Sequence, residues 1–204
     1  MAVVSNGTTI IDAGALSVSN GKMTLIKSLT ASSSASLSFV HGTDSVVLDS
    51  TYDNYVFKFI NIEGTHDGGH LCIVGSIDGG SNYNVDKTTS FFAALHNEAG
   101  TDTQFAYNTS KDIAQGTGRA IISYGTGNGV DESVSGTLNL FNPSSTIAVK
   151  HFTSNCNSHH QSDYSCNSYT GGYFNNTSAI NAIRFDFDIG TMTTGIIKLY
   201  GIGG

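Results

Sequence analysis

Ile183-Arg-Phe-Asp-Phe-Asp-Ile189, then Gly190-Thr-Met-Thr-Thr-Gly195, then Ile196-Ile-Lys-Leu-Tyr200, is the stretch that decides the fold class. Apolar residues at 183, 185, 187 and 189 alternate with Arg184, Asp186 and Asp188, the two-residue period of a strand with one wet face. Glycines frame the turn segment, and the next run is rich in β-branched and aromatic residues. The spacing predicts a terminal strand pair within a sheet, with Asp186 and Asp188 on the wet side of an edge strand beside Arg184. Only Gly201 to Gly204 follow, so this end is expected to be tied into the fold rather than frayed.

The rest of the chain agrees. Its 204 residues suit one domain, and their 24 Gly, single Pro and 12% charged residues leave too few Lys, Glu and Arg for many surface helices. The expected class is all-β, a single-domain β-sandwich or jelly roll built from about ten to twelve short strands spaced by turn signals. Residues 1–22 read as an N-terminal arm or edge strand anchored at Ile10-Ile11, and residues 23–204 as the sandwich domain. Strands are expected at 24–29, 35–40, 45–48, 103–107, 119–124, 137–141 and 146–152. Tyr52 to Ile62 alternates with apolar residues on both faces, which predicts a central strand covered twice, and 71–77 is its partner. For Ser90 to His96, periodicity allows a strand or a helical turn.

The formal net charge is −7 and no basic run occurs, which argues against nucleic acid as a partner. No apolar run approaches the length of a membrane span, so no membrane insertion is expected. The first residues lack the cationic start and apolar core of a signal peptide, so folding in a cytoplasm is expected.

Few motifs carry chemistry. Ser76-Ile-Asp-Gly-Gly-Ser-Asn-Tyr83 resembles an Asp box with Tyr83 in place of Trp. Asp78 would accept backbone N–H groups at a hairpin tip, and Asp78, Asn82, Asn84 and Asp86 offer oxygens suited to Ca²⁺. Cys156, His159, His160 and Cys166 are the right types for Zn²⁺, in a spacing that fits no standard module. A disulfide between the two cysteines, or a solvated loop over 155–168, are the other readings. Tyr164, Tyr169 and Tyr173, with His159 and His160, are candidates for ligand binding, able to stack on sugar rings and to hydrogen-bond. The alternative is that these tyrosines pack under their own loop. Cys72 reads as a buried thiol. No nucleophile elbow, P-loop or zincin motif occurs, and Asp131-Glu132 are adjacent, so no catalytic residue, enzyme activity or cofactor is expected.

Several segments together resemble structural proteins of tailed phages, especially phages of marine bacteria. They are Met1–Leu16, Tyr52-Asp-Asn-Tyr-Val-Phe-Lys-Phe-Ile-Asn-Ile62, the Asp78-Gly-Gly-Ser-Asn-Tyr-Asn84 turn, Leu140-Phe-Asn-Pro-Ser-Ser145, Val149-Lys-His-Phe152 and Gly195-Ile-Ile-Lys-Leu-Tyr-Gly-Ile202. The last looks like the Gly-Thr-Ile-Lys-Leu-Tyr-Gly-Ile ending of such proteins. The resemblance implies a non-enzymatic virion protein, made in the bacterial cytoplasm. Expected partners are copies of itself, as a homotrimer on the particle exterior, other virion proteins, and a host surface glycan. A tail fibre or receptor-binding component is the first expectation, and a capsid decoration (cement) or head-fibre protein the second. A Ca²⁺-dependent, lectin-like carbohydrate-binding module is the alternative from another class. It would present exposed aromatics along one sheet face.

Overall fold

The computed structural model describes residues 3–12, 15–16 and 22–203. The chain is all-β, with no helix among the described residues. Three short N-terminal strands, β1 (Val3–Ser5), β2 (Thr8–Asp12) and β3 (Ala15–Leu16), pair with one another in a small separate sheet. The side chains of Ile10 and Ile11, the expected anchor, lie outside the description, as do residues 1–2, 13–14 and 17–21.

The remaining strands are β4 (Met23–Thr30), β5 (Leu37–Val40), β6 (Asn54–Gly64), β7 (Leu71–Ser76), β8 (Lys87–Asn97), β9 (Thr103–Tyr107), β10 (Ile113–Gly116), β11 (Ala120–Ile121), β12 (Val134–Phe141), β13 (Lys150–His160), β14 (Tyr164–Phe174), β15 (Ala182–Phe187) and β16 (Met192–Ile202). They form two antiparallel sheets. The larger runs β10-β8-β14-β13-β12-β6-β16-β4, with β9 also paired to β8, and the smaller runs β11-β7-β15-β5. Their inner faces meet through aromatic side chains. Phe185 of the small sheet lies 5.0 Å from both Phe57 and Phe59 of the large one, and Phe39 lies 5.2 Å from Phe57, all edge-on. Leu138, Leu140, Phe152, Ile183, Ile197 and Leu199 complete this core.

The terminal stretch is therefore two strands, but not a pair. β15 sits between β7 and β5, whereas β16 sits between β6 and β4 in the other sheet. The short segment 188–191 carries the chain from one sheet to the other. Because β15 is interior, Asp186 is buried rather than wet. Its carboxylate is held by Arg119 Nε at 3.0 Å and faced by Arg184 Nε at 3.3 Å, the second without hydrogen-bond alignment. Burial raises its pKa against the pull of the two guanidinium groups.

β6 is central, as expected, but its outer face is only partly covered, with Val56 buried there. Tyr55, Phe57 and Phe59 point inward, Lys58 is half-buried and Ile60 is exposed. A bulge then shifts the phase: Ile60 and Asn61 together face Ser135, Asn61 takes φ 47°, and Ile62 turns inward. Opposite the bulge stands Gly195, where a Cβ would lie 2.5 Å from the Asn61 carbonyl oxygen. Residues 45–48 are irregular rather than a strand, though Val46 and Leu48 are buried. Ser90 to His96 is wholly strand, within β8.

The outer face of the large sheet

β13 and β14, of eleven residues each, form a hairpin paired without a break from Lys150↔Phe174 to His160↔Tyr164. The expected loop over 155–168 is thus two strands and a tight turn. Side chains alternate. Ser154, Cys156, Ser158, Cys166, Ser168 and Thr170 are buried on the inner face, while Thr153, Asn155, Asn157, His159, Ser165, Asn167, Tyr169 and Tyr173 belong to the outer one.

This alternation corrects the four-residue Zn²⁺ reading. Cys156 and His159 lie on opposite faces of β13, so the set cannot converge on one ion. The register sets Cys156 opposite Ser168 and Cys166 opposite Ser158, and both cysteines, with Cys72, are free buried thiols. Burial raises the pKa of each, that of Cys156 to about 12, which keeps them protonated and poor as ligands.

The histidines and tyrosines separate in the same way. His160 turns inward and stacks on Tyr124, which also stacks on His70, with ring centroids at 5.4 and 5.5 Å. Tyr164 Oη donates to Asp102 Oδ2 at 2.9 Å, so its hydroxyl is engaged. Tyr169 and Tyr173 stand on the outer face four residues apart, a separation of roughly 13 Å along the strand.

Residues outside the expected set complete the face. Phe92 of β8 stacks on Tyr169 at 4.9 Å, and Phe105 of β9 meets Phe92 edge-on at 5.7 Å. Phe105 is 74% and Tyr107 53% exposed. The pairing Tyr107↔Phe92↔Tyr169 places an aromatic row across three adjacent strands. Below it, Gly171 contributes no side chain and opens a trough of about 270 Å³ lined by Thr88, Ser90, His151, Gly172 and Tyr173. A Cβ at Gly171 would have only Ser90 Oγ nearby, at 3.7 Å, so the space is open. The polar neighbours are amides and hydroxyls: Asn167 Nδ2 donates to Tyr169 Oη at 2.8 Å, and Asn157 Nδ2 to Ser165 Oγ at 3.1 Å. Apolar rings beside neutral donors and acceptors suit a ligand with both apolar faces and hydroxyls. The even spacing of Phe105 and Tyr107 was the available signal for the missed residues.

The Asp box region is structural. It links β7 to β8, which lie in different sheets, so it is a crossover rather than a hairpin tip. Asp78 Oδ1 accepts from Ser76 Oγ at 2.6 Å and from the Asn82 amide at 2.9 Å, and Oδ2 accepts from Asn82 Nδ2 at 2.7 Å. These bonds lower its pKa to about 2 and occupy the oxygens that Ca²⁺ would need.

At the far end of the outer face, Glu98, Glu132 and Asp163 gather around His159. Nε2 of His159 lies 3.5 Å from Glu98 Oε1 and 3.9 Å from Asp163 Oδ1, and ligand atoms of Glu132, His159 and Asp163 all fall within 4.8 Å of one another. A cavity of about 330 Å³ lined by His96, Glu98, Asn157, His159, Tyr164 and Ser165 adjoins them.

Comparison with protein-family models, curated proteins and solved structures gave no match to the chain.

Proposed function

We propose that this chain is a non-enzymatic, homo-oligomeric attachment component on the exterior of a tailed-phage virion, with the outer face of its large sheet docking on host surface glycan. The observation that carries the reading is the Phe105–Phe92–Tyr169 row above the Gly171 trough, edged by Asn, Ser and Thr. Flat rings cover the apolar faces of sugars, and fixed amides and hydroxyls select among their hydroxyls. The particle setting rests on the sequence resemblance.

Self-association is supported by β4, an edge strand of the large sheet with Met23 and Leu25 exposed. An open edge with apolar side chains is a surface that natural proteins normally cover. The same edge favours capsid decoration as the second reading, since it would equally seat the chain on a neighbouring shell protein.

A panel of bacterial surface polysaccharides, screened with the purified chain, tests the first reading, and light scattering tests the oligomer. Binding by a stable oligomer supports it. A monomer that binds no glycan overturns it.

A further inference from the structure

We infer that Glu132, His159 and Asp163, with Glu98 as a fourth donor, form a binding site for a zinc-class divalent cation at the tip of the β13–β14 hairpin. This site is independent of the glycan reading.

Four separate segments supply the donors: the end of β8, the turn before β12, the outer face of β13, and the hairpin turn at 161–163. Backbone bonds fix their approach. The Glu98 amide donates to the Asp163 carbonyl at 2.9 Å, the His159 amide to Ser133 at 3.1 Å, and the Gly127 amide to His159 at 3.0 Å. The Glu132 carboxylate closes over Gly127, where a Cβ would lie 2.2 Å from its carboxyl carbon.

Two observations point to a cation. Two carboxylates, Glu132 and Asp163, converge with the imidazole, Glu98 Oε1 lies 3.5 Å from Nε2, and among the described residues no Lys or Arg forms an ion pair with any of the three. Independently, His159 Nε2 is shielded from solvent and lacks a hydrogen-bond partner, although it is aimed at those carboxylates. Leaving such an atom unsatisfied costs about 1–3 kcal/mol. A metal ion between the imidazole and the carboxylates would use the lone pair and neutralise the charge together. One imidazole with carboxylates is a donor set for Zn²⁺, whereas Ca²⁺ and Mg²⁺ prefer oxygen alone. The adjoining cavity leaves room for a water or a ligand hydroxyl on the ion.

Isothermal titration of the EDTA-treated full chain with ZnCl₂ tests this. The expected result is one tight equivalent that 1 mM CaCl₂ does not displace. His159→Gln and Glu132→Gln should each weaken it at least tenfold while their melting temperatures in EDTA stay near that of the parent chain. His151→Gln, at the other end of the face, should bind as the parent does. Absence of tight binding, equal loss in His151→Gln, or undiminished binding in the two site variants would overturn the assignment.

Discussion

The two faces of the large sheet solve different problems with similar residue types. On the inner face, Ser158 Oγ donates to the Tyr124 carbonyl at 2.9 Å and Thr170 Oγ1 to that of Ile121 at 2.9 Å, so hydroxyls of β13 and β14 satisfy the backbone of the segment lying over them. Two lysines are used likewise. Lys87 Nζ donates to the carbonyls of Thr117 and Gly118, at 3.2 and 2.7 Å, and Lys150 Nζ to those of Asn176 and Ser178, at 3.0 and 2.6 Å. Burial lowers the pKa of both, that of Lys87 to about 8. On the outer face the same kinds of polar group are left facing solvent beside exposed rings. Inner polarity holds the fold, and outer polarity is available to a ligand.

Substitutions should separate the faces. The largest effect is expected from Phe185→Ala, which empties the contact between the sheets and should cost about 3–5 kcal/mol by denaturant unfolding. A cost below about 1 kcal/mol would mean that the sheets do not depend on this contact. Acid comes next. Burial pushes His70 down to about 4, helped by the charges of Lys111 and His160 and opposed by Asp188. An unfolded chain takes up this proton near pH 6.5 and the folded one does not until about pH 4. Stability is therefore full above pH 6.5 and falls as pH drops from there to 4, by on the order of 3 kcal/mol. His70→Asn should flatten that part of the pH profile of the melting temperature. Lys150→Met leaves two carbonyls without their donor and should cost about 2 kcal/mol. The smallest stability effect belongs to the outer face: Tyr169→Ala should cost about 1 kcal/mol or less, the worth of its stack on Phe92.

Alternation made β6, β15 and β16 legible, because their inner positions are large and apolar. It could not say which sheet each joins, since pairing partners are set by the core as a whole; hence β15 and β16 read as a pair. The bulge at Asn61 hid the true face of Ile62, since one extra residue inverts everything after it. The β13–β14 hairpin was obscured for another reason. Its buried positions are Ser, Cys and Thr, so burial alternates while hydrophobicity does not. The candidate site was legible in part. Tyr169 and Tyr173 stood out as ring-bearing residues in a polar stretch, whereas Phe105 lay in a segment that read as ordinary strand and Phe92 in one whose period left strand and helical turn open. The cluster around His159 joins residues 98, 132, 159 and 163, a proximity that only the fold creates.

The most direct test of the outer face as a docking surface is the affinity of the chain for a bound polysaccharide, measured side by side for the parent chain and Tyr169→Ala at matched folded fractions. The account predicts about a ten- to thirtyfold loss in Tyr169→Ala with the fold intact. Equal affinity in the two proteins would contradict it.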